Sequence, residues 1–280
     1  MTDRAILASY AHPDDEQGVT GALRTYLDQG VRVALVCATR GEVGEIADPA
    51  LATPETLGAV REQELRRATA IVGFSDVYFL DYRDSGMVGT PPNNDPRAFI
   101  NVDAHEAVGK LVKIIRTFKP TLLFTFDETG GYGHPDHLAI NKWTTEAFTA
   151  AGDAAQYPDM GAPFAPSRLF YASIDRNMLK VASDYLAEQG IPGPFGGMDM
   201  SKMGMEPERI TNRLDVSRYV DMKLKSLAEH KTQMAPDSPL RNMPEDLWRQ
   251  WRSVETFALV AGVLLPENAD MSDLFAGLPS

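Results

Sequence analysis

Residues 31–38, VRVALVCA, constrain the fold more than any other stretch of this chain. Apart from Arg32 they are apolar, with β-branched valines at 31, 33 and 36. A strand of this kind is buried on both faces, which requires a parallel sheet covered by helices on each side. Short apolar runs of the same character recur at 5–10, 77–80, 121–126, 168–174 and 255–260. Between them lie segments with helical periodicity. Residues 18–29 carry Val19, Leu23, Tyr26 and Leu27 on one face, and 103–118 carry Val108, Leu111, Val112, Ile115 and Phe118. Further helices are predicted over 57–72, 138–150 and 216–231. Gly30 and Pro120 end two of these helices. Strands alternating with helices predict a single α/β domain over 1–280: a Rossmann-like, mainly parallel sheet with helices on both faces. Residues 1–175 would form its core. Residues 176–280 would form an irregular C-terminal extension of loops, a helix and a last strand that wall the substrate site. Within it, the Gly-, Pro- and Met-rich stretch 191–207 suits an adaptable wall.

Charge narrows the partners. The formal net charge of −12 over 280 residues repels phosphate backbones and anionic lipids, so neither nucleic acid nor a membrane surface is expected. No apolar run approaches the roughly 18 residues needed to span a bilayer. The first apolar segment is too short for a signal peptide, which points to the cytoplasm. Cys37 is the sole cysteine, so no intrachain disulfide forms. A homo-oligomer is compatible with all of these features.

Two dense polar motifs each follow an apolar run. Ala11-His12-Pro13-Asp14-Asp15-Glu16 leaves the first, and Asp127-Glu128-Thr129-Gly130-Gly131-Tyr132-Gly133-His134-Pro135-Asp136-His137 leaves the fourth. In an open parallel sheet such strand exits gather on one edge. The two loops then bring two or three imidazoles and several carboxylates around one point. Two histidines and one carboxylate, with positions open to water and substrate, make a catalytic zinc site. The same set serves non-haem iron(II) oxygenases. Adjacent residues on an extended loop point in opposite directions, so Asp14 and Asp15 have different tasks. One ligates and the other serves as general base, and the spacing does not say which. A bound metal lowers the pKa of water from about 15.7 to near 7, within reach of a carboxylate base. A protonated histidine outside the ligand set would assist a leaving group or an oxyanion. These parts suit metal-assisted hydrolysis of an amide. Helix capping or a His-Pro-Asp turn would explain one such motif, but not two at equivalent places. A glycosidase would leave the histidines unexplained, and no phosphate-binding glycine motif follows the first strand. Arg61 shares a helical stripe with Leu65, Ala68 and Val72. At the start of its helix, beside Glu64, it either points into the cleft or lays its stem along the core under a surface ion pair.

The two motifs together closely resemble the PIG-L/LmbE family of metal-dependent de-N-acetylases. Thr39-Arg40-Gly41-Glu42-Val43-Gly44, Arg61 with Glu64, and Arg83-Asp84-Ser85-Gly86-Met87 match further positions of the family. Lys225, His230, Gln233, Glu255 and Phe257 match its C-terminal signatures. The resemblance implies zinc, or iron(II) in the cell, held by His12, Asp15 and His137. It implies Asp14 as general base and a protonated His134 at the oxyanion or the departing amine, with Asp136 tuning and orienting His134. Tyr132 would help polarise the carbonyl, and Arg61, Asp84 and Glu42 would contact sugar or polyol hydroxyls, as in the mycothiol branch. The implied substrate is a small amino-sugar conjugate from which an N-acetyl group is removed. A thiol-conjugate amidase of the same family and an iron(II) oxygenase are the alternatives. Glu16 has no assigned role.

Overall fold

The computed structural model describes residues 4–190, 203–234 and 244–279. Seven strands form one sheet: β1 (Ala5–Tyr10), β2 (Arg32–Cys37), β3 (Asp76–Phe79), β4 (Leu122–Phe126), β5 (Arg168–Ala172), β6 (Asn212–Asp215) and β7 (Val254–Gly262). Their order across the sheet is β3-β2-β1-β4-β5-β7-β6. The first five pair in parallel, and β7 joins β5 and β6 antiparallel. As the unbroken apolar runs require, β1 and β2 are buried on both faces apart from the exposed Arg32.

Alternate residues of β1 feed two separate cores. Ala5 and Leu7 pack against Leu111, Val112 and Ile115 of α3 (Ala104–Phe118) and Ile140 and Trp143 of α5 (Pro135–Ala150). Ile6, Ala8 and Tyr10 pack against Ala22 and Leu23 of α1 (Thr20–Leu27) and Leu65 of α2 (Leu57–Val72). Burying both faces in this way supplies most of the driving force, at roughly 25 cal/mol per Å² of apolar surface.

β1 and β4 are neighbours, and strand order reverses between them. That reversal opens a crevice at the carboxyl ends of the two strands. Both polar motifs leave these strands, so topology alone brings them together. The second motif runs through a short helical turn, α4 (Gly130–Gly133), into α5. Helix α5 begins at Pro135 rather than 138, because Pro suits the first helical position and His134 caps it.

The last third adds more order than periodicity marks. It contains α6 (Arg176–Glu188), α7 (Val220–Leu227), α8 (Glu245–Arg252) and the strand β6. Helix α7 is shorter than the predicted 216–231. Val216 stays outside it, fully buried, with its N–H donated to the Ser253 carbonyl. Of the Met-rich stretch, residues 191–202 lie outside the described residues.

Arg168 fastens the C-terminal tail to β5. Fully buried, it donates to the carbonyls of Val263 (2.7 Å), Leu274 (2.8 Å), Leu264 (3.1 Å) and Ala276 (2.6 Å). Removing the guanidinium leaves several acceptors unpaired, each costing about 1–3 kcal/mol. Arg168→Met is therefore expected to lower unfolding stability by about 3 kcal/mol or more, read from urea denaturation. A midpoint equal to wild type would show that the tail does not depend on it.

Candidate metal centre

His12 stands two residues after the end of β1, and His137 lies in the first turn of α5. His12 Nδ1 and His137 Nε2 face each other at 3.1 Å. Asp15 Oδ2 lies 3.6 Å from His12 Nδ1, and Asp15 Oδ1 lies 3.3 Å from His137 Nε2. Hydrogen-bond partners assign the tautomers. His137 Nδ1 donates to the Gly130 carbonyl at 3.0 Å, which leaves Nε2 with its lone pair. His12 Nε2 donates to Asp136 Oδ2 at 3.1 Å, with Asp84 Oδ1 at 3.5 Å, which leaves Nδ1 with its lone pair. Two lone pairs and a carboxylate thus converge with no donor among them. Such an arrangement requires a cation or a proton between its members. Zn–N and Zn–O bonds of about 2.0–2.2 Å in a tetrahedron separate ligand atoms by about 3.4 Å, close to the spacing here. The residues fit a metal ion. Without one, a proton on His12 takes its place: burial opposes that charge, but Asp136, Asp15 and Asp84 hold the imidazole well above its ordinary pKa.

The surroundings hold these groups in place. Asp15 Oδ2 accepts the amides of Ala11 (3.1 Å) and His12 (2.7 Å). Phe126 stacks on the His137 ring at 4.0 Å between centroids. Gly130 has a φ of +63°, and a Cβ there would stand 2.8 Å from His137 Cβ, so only glycine fits against that ligand.

Asp14 differs from Asp15 as two adjacent groups must. Its backbone is left-handed, with a φ of 98°, a costly conformation for a non-glycine residue. No described residue hydrogen-bonds its carboxylate. Burial, and then the charge of Asp15, push its carboxyl up to about 6. Glu16, fully buried, explains the strained turn. Its Oε2 accepts the Asp14 amide at 3.0 Å, and its Oε1 accepts Gln17 Nε2 at 2.7 Å and pairs with His230 Nε2 at 2.8 Å. Gln233 Nε2 donates to the Pro13 carbonyl at 2.8 Å.

Several expected roles change. Asp136 was assigned to His134, but its carboxylate serves His12 and accepts the Ser85 amide at 3.0 Å. It meets His134 through its backbone N–H, donated to His134 Nδ1 at 3.2 Å. An acceptor at Nδ1 leaves the proton on Nε2. Burial, reinforced by His12 and His137, lowers His134 to about 4. That shift opposes the protonated form expected for His134, and the hydrogen bond at Nδ1 leaves Nε2–H as its donor. Its ring lies 4.6 Å from that of His12 and 5.1 Å from that of His137. Ring nitrogens of these three histidines also lie within 4.8 Å of one another. The Tyr132 ring meets His137 edge-on at 5.0 Å, and burial raises its hydroxyl pKa.

Arg61 reaches the sheet edge, but its guanidinium donates to the carbonyls of Gly41 (3.0 Å) and Glu45 (2.9 Å) rather than into an open cleft. A Cβ at Gly41 or Gly44 would meet its Nη1 at 2.4 Å, so these glycines make room for the clamp. Glu64 binds Thr232, not Arg61. Asp84 accepts the amides of Gly86 (2.8 Å) and Val43 (3.3 Å), and Glu42 Oε2 accepts that of Asp84 (3.0 Å). These residues lace the β2 and β3 exit loops together beside His12.

The comparisons fit this geometry. Residues 7–148 match the family described as PIG-L, GlcNAc-PI de-N-acetylase. The chain is 35% identical to the 1D-myo-inositol 2-acetamido-2-deoxy-alpha-D-glucopyranoside deacetylase of Geodermatophilus obscurus, over 99% of this chain and 98% of that protein. The chain belongs to the PIG-L family. A second relative, the Acidothermus cellulolyticus protein of the same name, is 37% identical over 98% of this chain and 95% of its own. The N,N'-diacetylchitobiose deacetylase of Pyrococcus horikoshii shares the fold, with a TM-score of 0.63 at 20% identity over 92% of this chain and 84% of its own.

In this PIG-L chain, sequence reasoning left the supports of the site unassigned. Glu16 and His230 are separated by 214 positions and meet only in the fold. The available signal was a third acid in the first polar motif and a histidine at a position matching a C-terminal signature of the family. His230 is more protonated folded than unfolded: burial opposes the charge, but Glu16 outweighs it and raises its pKa. The pair's contribution is complete below the unfolded value of about 6.5 and declines as pH rises through the folded one. The stability difference between metal-free wild type and His230→Gln, from urea unfolding, is expected to be larger at pH 6 than at pH 9. A difference that grows with pH would contradict the ion pair.

Proposed function

We propose that this PIG-L family protein is a zinc-dependent hydrolase that removes the acetyl group from an N-acetylglucosaminyl conjugate. One observation carries the reading. Two imidazole lone pairs and the Asp15 carboxylate converge beside a second carboxylate, Asp14, that no described residue engages. His12, Asp15 and His137 would hold the cation. This set includes an anion to balance the metal's charge and leaves His134 free. Zinc bound there would polarise the amide carbonyl and acidify water.

The chain's own groups do the rest. Asp14 takes a proton from the attacking water and delivers it to the departing amine. A carboxyl near 6 is suited to both transfers at neutral pH. His134 Nε2–H donates to the oxygen that gains negative charge, and its Nδ1 is held by the Asp136 amide. Tyr132 flanks the same site and assists the carbonyl. Glu42 keeps Oε1 available for a sugar hydroxyl, while Arg61 and Asp84 support that contact by holding its loop. The two relatives named for an inositol-linked 2-acetamido sugar make that compound the first to test.

The test is simultaneous measurement of acetate and free amine from N-acetylglucosaminyl-inositol and related conjugates, with metal content determined on the same sample. Equimolar products, lost on chelation and restored by zinc without oxygen uptake, are expected. Absence of acetate from every such conjugate with metal-loaded protein would reject the reading. Asp14→Asn is expected to retain metal while turnover falls by about 10²–10⁴. Near-normal turnover would remove Asp14 from the role of base.

A further inference from the structure

Between Ala11 and Gly18 only Asp14 has a left-handed backbone, with φ 98° and ψ −22°. An L-residue leaves that conformation unless the structure around it holds it there. Asp15 is held locally, because its carboxylate accepts the amides of Ala11 and His12. Asp14 cannot be held in the same way and keep its carboxylate free to act. Its amide is held instead, by Glu16 Oε2 at 3.0 Å.

Glu16 is fixed in turn from 214 positions away. Its Oε1 accepts His230 Nε2 at 2.8 Å and Gln17 Nε2 at 2.7 Å, and Glu16 and His230 are both fully buried. Helix α7 and the segment after it grip the same loop at two more points. Gln233 Nε2 donates to the Pro13 carbonyl at 2.8 Å, and Gln17 Nε2 donates to Ser226 Oγ at 2.9 Å. Thr232 faces α2 instead, and its amide and hydroxyl donate to Glu64 at 2.9 and 2.6 Å. His230 is a poor choice for stability alone. Its Nδ1 is buried and makes no hydrogen bond to a described residue. A half-satisfied buried imidazole stabilises less than apolar packing would, but its bound nitrogen is specific about geometry. Geometry is what a base needs, since it must reach its proton at about 2.6–3.2 Å. If Asp14 relaxed to an extended or right-handed backbone, its carboxylate would swing to a new direction. Asp15, held by its own two amides, would stay.

We propose that Glu16 and His230 are a positioning pair for the base. They fix the backbone of Asp14 from behind and so aim its carboxylate at the attacking water, without contributing to the metal ligands. The catalytic half of this statement rests on the reading of Asp14 as base. The structural half, that the pair holds the Asp14 backbone, stands without it.

The test compares wild type with Glu16→Gln, His230→Leu, His230→Gln, Thr232→Val and Asp14→Asn. Each is loaded with zinc, its metal content is measured, and turnover of N-acetylglucosaminyl-inositol is followed. Glu16→Gln sets an N–H against a donor in either orientation of the new amide. Glu16→Gln and His230→Leu are expected to lower kcat by about tenfold to a hundredfold, with KM and zinc content changed by less than about twofold. A glutamine at 230 can place an N–H where Nε2–H stood, so His230→Gln should recover most of the loss. Thr232→Val breaks a buried contact of the same segment without touching residues 13–17, and should keep kcat within about twofold of wild type. A second readout needs no turnover. Hydrogen exchange at the Asp14 amide in the metal-free proteins should quicken by at least about tenfold in Glu16→Gln and His230→Leu, and not in Thr232→Val. Undiminished kcat in Glu16→Gln and His230→Leu beside a crippled Asp14→Asn would overturn the proposal. So would an equal loss in Thr232→Val, zinc lost in proportion to turnover, or unchanged exchange at Asp14. Glu16→Gln carries the decision if His230→Leu does not fold. Normal turnover by Asp14→Asn, or none by wild type, would instead fault the reading of Asp14 as base, and the exchange measurement still decides whether the pair holds it.

Discussion

Two imidazole lone pairs and a carboxylate meet within 3.1–3.6 Å at the crevice between β1 and β4, and their mutual repulsion shapes what surrounds them. Acceptors left facing one another in a partly dry site repel strongly, because little water screens them. Each is therefore held from behind by an opposite dipole or charge. Gly130 holds His137, Asp136 and Asp84 hold His12, and two amides hold Asp15. Fixing the far nitrogen of each imidazole selects the tautomer that presents a lone pair forward.

A wider layer keeps the loops from relaxing away from this strain. Glu16 and His230 tie the first loop to the segment after α7, and Gln233 adds a second tie at Pro13. Arg61 clamps the loop after β2, and Glu42 joins that loop to the one after β3. Most of these supports are buried ionic or charge-assisted contacts. Such contacts add little net stability over apolar packing, but they are specific about geometry. Their concentration around one crevice separates holding the site from holding the fold, which the two apolar cores accomplish.

Legibility in the sequence followed the range of the interaction. The parallel sheet was visible because unbroken apolar strands are a local pattern. The two motifs were visible because each packs its charge into a few consecutive residues. Asp14 and Asp15 could not be told apart on spacing, since the difference lies in a left-handed backbone and in who donates to whom. Arg61 was legible as an unusual arginine on a core stripe, but its partners are carbonyls 16 and 20 positions away. Helices α6 and α8 escaped notice among residues whose apolar positions face small local clusters rather than the main cores.

By itself the sequence determined that the chain folds as helices over a parallel sheet, and that imidazoles and carboxylates leave its first and fourth strands. Periodicity and local crowding of charge are properties of consecutive residues, so they survive without coordinates. Only the tertiary structure decided which nitrogen of each histidine faces inward, that Asp136 serves His12, that burial presses His134 toward its neutral form, and that Glu16 meets His230. Those outcomes depend on donors, acceptors and burial contributed by residues up to 214 positions apart, and the fold alone sets which of them meet.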